Sequence, residues 1–133
     1  MKAEMENDVM MSMKSDIKAT HKYYEQIDDT QLCDCADCKN YRAKISVAYP
    51  EVSQYLKSLG ADIEKPFDSS SYEHCDDGKT SYFAQYIILG TCSENFHYQI
   101  GTTEIRLTES HPGTGIEKEH FVLEIYPVKL AQE

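Results

Sequence analysis

The sequence predicts an α+β domain in which N-terminal helices precede an antiparallel meander of three to four strands. Up to residue 59, apolar residues recur at helical spacing, and from residue 82 onward they alternate as in strands that bury one face. At 133 residues, the chain has the length of one domain. We therefore predict a single domain over 1–133, with disorder at 1–14, a helical part at 15–65 that carries a cysteine cluster, and a sheet at 79–130.

Three helices are predicted in the N-terminal half. The first runs from Asp16 to Ile27. Asp37, or a residue one or two positions from it, is the expected N-cap of the second. Pro50 suits the first turn of the third helix, and Gly60 suits its left-handed end. The apolar positions behind these predictions are Ile17, Thr20, Tyr24 and Ile27; Tyr41, Ile45, Ala48 and Tyr49; and Val52, Tyr55, Leu56 and Leu59.

The C-terminal half has the pattern of strands. Residues 82–89 are dense in Tyr, Phe and Ile, which predicts the most buried strand. The buried parity changes at 101–102 and again at 126–127, which indicates a turn or bulge at the first place and a proline bulge or edge at the second. The Ser-, Asp- and Gly-rich residues 66–78 indicate a loop, and residues 110–115 a hairpin connection.

The charge balance excludes some classes of partner. The chain has 23 acidic and 13 basic side chains, a net charge of −10. Nucleic acids and anionic membranes are bound by clustered Lys and Arg, so we expect neither as a partner. Residues 66–133 carry 11 acidic and 4 basic side chains. We expect a basic partner protein to bind to this acidic half of the chain.

Features of export and membrane insertion are missing from the sequence. No apolar run reaches the roughly 18 residues of a membrane-spanning helix. The first residues are acidic and lack the basic start and apolar run of a signal peptide. Five cysteines are an odd number, which fits a secreted disulfide framework badly. We therefore predict a cytoplasmic protein.

One cysteine cluster carries the strongest chemical signal. Cys33, Cys35 and Cys38 follow the spacing C-x-C-x-x-C, and C-x-x-C lets two sulfurs reach one tetrahedral ion. Thiolates favour zinc over harder cations. No base that could activate a metal-bound water stands nearby in the sequence, which favours a structural zinc site over a catalytic one. We predict structural zinc and no catalytic residue.

A closed zinc site needs a fourth ligand, and the sequence leaves several candidates. Cys75 or its neighbour His74 ranks first, because either would join the sheet to the helices; Cys75 completes the predicted set. His21, on the preceding helix, ranks second. Cys92 and His97, which flank the turn after the first predicted strand, rank third.

The cysteine segment resembles one found in a group of small bacterial proteins. It has the form C-x-C-x-x-C-x-N-Y over residues 33–41, and is followed by Y-L-x-x-L-G at 55–60, by Lys65–Pro66 and by a Tyr-rich strand. The resemblance covers about half of the chain. Because the group has no established activity, it implies no function and favours only a bacterial cytoplasmic protein.

Three functional hypotheses follow. The first is a non-enzymatic, zinc-stabilised domain that binds another protein. The second is a specific form of it, an immunity- or antitoxin-like acidic inhibitor of a basic toxin, motivated by the net charge. The third is an enzyme, either a thiol-redox protein or a zinc hydrolase with an open coordination position.

Overall fold

The computed structural model describes residues 13–131 of the protein. The predicted disorder at 1–12 lies outside the described residues, whereas Met13 and Lys14 belong to a strand. The elements in chain order are β1 (Met13–Ser15), α1 (Ile17–Glu25), a 3₁₀ turn (Asp29–Gln31), α2 (Ala36–Ala48), α3 (Pro50–Ser58), β2 (Asp68–His74), β3 (Lys79–Cys92), β4 (His97–Ile100), β5 (Thr103–Thr108) and β6 (His120–Ala131).

The sheet overturns the predicted fold class. Within residues 13–131, six antiparallel strands form a curled half-barrel and the structure is mostly β. The prediction of N-terminal helices followed by a meander of three to four strands is therefore wrong. β1 precedes the helices and pairs with the end of β3. β6 returns to lie between β3 and β5, giving the order β3-β6-β5-β4. The sheet therefore extends well outside residues 79–130.

β2 lies where the sequence indicated a loop. It pairs with β3 through a tight connection in which the Cys75 amide donates to the Lys79 carbonyl at 2.7 Å, and Gly78 adopts a φ of +81°. Because the residues of β2 are polar, their pattern did not predict a strand. An edge strand needs little apolar surface of its own when its neighbour, here β3, supplies the apolar residues. One extra residue, Tyr72, bulges out of the β2 ladder between Ser71 and Glu73.

The predicted parity changes coincide with real irregularities. The chain turns at 101–102, since Ile100 pairs with Thr103 across the β4–β5 hairpin. Near Pro127 the β3–β6 register shifts by one residue, and this bulge keeps Val128 on the same face of β6 as Ile125.

In the described part of the chain, α2 and α3 cover one face of the sheet, and α1 packs along its β3 edge. Side chains from the helices and from alternate positions of β3, β5 and β6 form the core. Its fully buried members include Tyr41, Ile45, Val52, Leu56, Tyr82, Tyr86, Ile88, Ile105, Leu123, Ile125 and Leu130. A smaller cluster of Ile87, Leu89 and Val122 lies on the opposite face.

Helix α1 seals an open stretch of the β3 edge. β2 pairs with β3 as far as Gln85, and β1 pairs with it from Gly90 onward, which leaves a gap between them. In that gap the Tyr24 hydroxyl donates to the Ile87 carbonyl at 2.8 Å, and the Leu89 amide donates to Thr20 Oγ1 at 3.1 Å. Side-chain hydroxyls thus replace a strand partner and hold α1 against the sheet.

We expect Tyr24→Phe to lower the free energy of unfolding by about 1–3 kcal/mol, because the buried Ile87 carbonyl loses its donor. Chemical denaturation measures this. Tyr23→Phe is the matched control, since the Tyr23 hydroxyl makes no hydrogen bond within residues 13–131. Equal losses in the two variants would show that the Tyr24 bond contributes nothing specific.

Candidate metal centre

Three cysteine thiols converge at the start of α2. The Sγ atoms of Cys33, Cys35 and Cys38 all lie within 4.8 Å of one another. Ligands 2.3 Å from a tetrahedral zinc are about 3.8 Å apart, so this spacing is close to that of a zinc-thiolate site. The predicted clustering of the three cysteines is confirmed, and they could hold a metal ion.

The helix start explains why two of the thiols converge. Cys35 is the N-cap of α2, two residues before the predicted Asp37, and its Sγ accepts a hydrogen bond from the Cys38 amide at 3.4 Å. The first amides of a helix have no partner within it, so they are available to a thiolate. The spacing C-x-x-C therefore places Cys35 and Cys38 side by side at the positive end of the helix dipole.

The thiols differ in acidity. The pKa of Cys35 is lowered, chiefly by the hydrogen bond from the Cys38 backbone amide and then by the side chains of Cys38 and Cys33. Burial raises the pKa of Cys38 to about 12. Cys35 therefore ionises more readily than Cys38, which requires a nearby cation, such as a bound metal, to become a thiolate at neutral pH.

Two contacts fix the triad within the fold. The Arg42 guanidinium donates to the Cys33 carbonyl, which ties the exposed loop back to α2. Ser69 Oγ donates to Cys38 Sγ at 3.4 Å, which ties the buried thiol to β2. The centre therefore lies at the junction between the helices and the sheet edge.

β2 also reaches the acidic residue inside the motif. Asp37 Oδ2 accepts a hydrogen bond from Ser71 Oγ at 2.6 Å, and His74 Nε2 lies 3.6 Å from the same oxygen. Sequence reasoning missed Asp37, Ser69 and Ser71 as parts of the site. The two serines alternate as on one face of a strand, but the polar composition of the segment indicated a loop.

The triad is the only group of three or more potential ligand side chains that converge in this way within residues 13–131, and it contains none of the five candidate fourth ligands. His74 lies nearest to the motif, through Asp37. The others contact different residues: Cys75 with Ser81, His21 with Glu25, His97 with Glu104, and Cys92 with the Ser93 carbonyl.

Comparison with protein families, curated proteins and solved structures yields no match to this chain. Across residues 13–131, no helix combines the length and hydrophobicity needed to cross a bilayer. The cysteine triad is thus the feature that points most directly to a function.

Proposed function

We propose that the protein is a non-enzymatic binding domain in which Cys33, Cys35 and Cys38 hold a structural zinc ion. The observation that carries the proposal is the convergence of the three Sγ atoms within 4.8 Å at the N-terminus of α2. Thiolates are the preferred protein ligands of zinc, and three of them with one further ligand make a closed tetrahedral site.

The surroundings of the triad support a structural role. Cys38 is buried and bonded to Ser69 of β2, so a metal here would connect the loop before α2, the helix and the sheet edge. All five cysteines are free thiols, which supports a location in the reducing cytoplasm.

The surface charge supports a basic protein as the binding partner. At the β2–β3 hairpin, Glu73, Asp76 and Asp77 are exposed together, and the whole chain has a net charge of −10. Opposite charge speeds association, and salt screens the attraction. Crosslinking in the cells that produce the protein, followed by mass spectrometry, identifies the partner. A partner that is recovered repeatedly and has an acidic surface would contradict this part of the proposal.

The purified protein is expected to bind one zinc ion per chain. Cobalt(II) in place of zinc should give the intense visible bands of a tetrahedral thiolate site. The triple variant Cys33→Ser, Cys35→Ser, Cys38→Ser removes the ligands and should bind neither metal. Cys92→Ser is the matched control, because Cys92 lies outside the triad and should leave the stoichiometry unchanged.

Two results would contradict the proposal. If the purified protein contains no zinc and binds neither added zinc nor added cobalt, it has no metal site. A cobalt site with an exchangeable water would indicate an open coordination position, which is typical of zinc enzymes rather than structural sites.

A further inference from the structure

We infer that His74 supplies the fourth ligand through Nε2, which makes the site Cys₃His and links α2 directly to the sheet. This inference rests on the proposed zinc function. It names a ligand that the sequence left open among five side chains, and it follows from the β2 bulge and from the contacts on either side of the imidazole ring.

The bulge at Tyr72 brings His74 onto the face of β2 that meets α2. Ser69 and Ser71 lie on that face, since they bond Cys38 and Asp37. In a regular strand the next residue to share it would be Glu73, and His74 would lie on the opposite face. The extra residue shifts the alternation, so that His74 pairs with Thr80. Bulges commonly re-aim a side chain in this way.

The ring of His74 is held with one nitrogen toward the cysteine motif. Thr80 Oγ1 hydrogen-bonds Nδ1 at 3.0 Å, and Nε2 lies 3.6 Å from the carboxylate of Asp37. Metal-binding histidines usually have their second nitrogen held by a hydrogen-bond partner, most often a carboxylate, a backbone carbonyl or a water. Thr80 is fully buried, so its hydroxyl is a fixed point for the Nδ1 side of the ring.

In this proposal a reorientation of the His74 ring completes the site. His74 lies outside the 4.8 Å group formed by the three thiols, so its ring has to turn from Asp37 to an ion among the sulfurs. The side chain is 53% exposed, which leaves room for that turn. Asp37 lies between Cys35 and Cys38 in the chain, so the nitrogen already faces the segment that carries the thiols.

Cys75, the fourth ligand of the predicted set, lies on the other side of the hairpin. Its Sγ is 3.7 Å from Ser81 Oγ, and Ser81 alternates with Thr80 and Tyr82, whose side chains face the helices. To reach the triad, Cys75 would have to cross the β2–β3 ribbon, whereas His74 already lies on the side that faces α2.

The test compares His74→Asn with Cys75→Ser in zinc and cobalt titrations of the full chain. His74→Asn should weaken both affinities by more than about 100-fold, since loss of an outer partner alone costs 10–100-fold. It should also shift the cobalt bands. Cys75→Ser should change neither. Long-range ¹H–¹⁵N spectra of the wild type should show that zinc perturbs the ring of one of the five histidines, His74.

The outcomes separate this inference from the proposed function. If Cys75→Ser weakens binding and His74→Asn does not, or if neither does, His74 is not the ligand and the inference fails while the zinc site stands. If the wild type binds no metal, the proposed function itself fails. Far-UV circular dichroism checks that both variants are folded before the affinities are compared.

Discussion

Replacing Tyr86 with alanine is expected to lower the free energy of unfolding by about 3–5 kcal/mol, as for other large aromatic truncations in a core. Tyr86 is fully buried beneath the helices, on the strand that pairs with three others. Its hydroxyl donates to the Ile63 carbonyl at 2.6 Å and accepts from the Tyr41 hydroxyl at 2.7 Å. The substitution removes this bonding group and leaves a cavity at the helix–sheet interface.

Tyr86→Phe isolates the hydroxyl. The ring still fills the core, but the Ile63 carbonyl and the Tyr41 hydroxyl both lose their partner, at a cost of about 1–3 kcal/mol. Burial raises the pKa of Tyr86 well above its usual value, so the hydroxyl remains a donor at neutral pH. Urea unfolding should show lower midpoints with unchanged slopes for both variants. A phenylalanine variant as stable as the wild type would show that the bonds contribute nothing net.

Removal of zinc is expected to lower the melting temperature by about 10 °C. A ligand at 1,000 times its Kd stabilises the folded state by about 4 kcal/mol, and each kcal/mol corresponds to a few degrees for a domain of this size. Calorimetry with excess zinc and then with excess chelator measures the difference.

The triple cysteine-to-serine variant is the control for this melt. Its transition should be indifferent to zinc and to chelator, and should lie near that of the chelated wild type. Hydrogen exchange should rise most at the start of α2 and along β2, where the triad and Ser69 connect the two elements. A wild-type melt that the chelator leaves unchanged would contradict a structural metal.

The sequence predicts the helices well and the sheet poorly, for physical reasons. Helical stripes arise from local spacing, so the stripe through Tyr24 is visible before any tertiary contact is known. β1 is too short for periodicity, and polar β2 depends on β3 for its apolar neighbours. β6 returns to pair with β3. The alternation of apolar residues predicts a strand, but it does not show which other strand it pairs with.

The same distinction applies to the candidate metal centre. The triad is predictable because C-x-C-x-x-C is a local spacing, and the start of a helix converts it into a cluster. A ligand from β2 depends on which face each side chain occupies, and the Tyr72 bulge reverses that face. Since one inserted residue decides whether His74 or Cys75 faces α2, spacing alone could not rank them as candidate ligands.

The hydrogen bonds by which α1 covers the edge of β3 also oppose self-association. An open strand edge is a template on which a second chain can pair and aggregate. Here β1 and β2 each cover only part of the β3 edge, and the hydroxyls of Thr20 and Tyr24 occupy the stretch between them. At the other border of the sheet, β4 has only four residues. Helix α1 therefore protects the edge of the sheet as well as contributing to the core. Its detachment would expose the main chain around Ile87 to pairing with other copies of the protein.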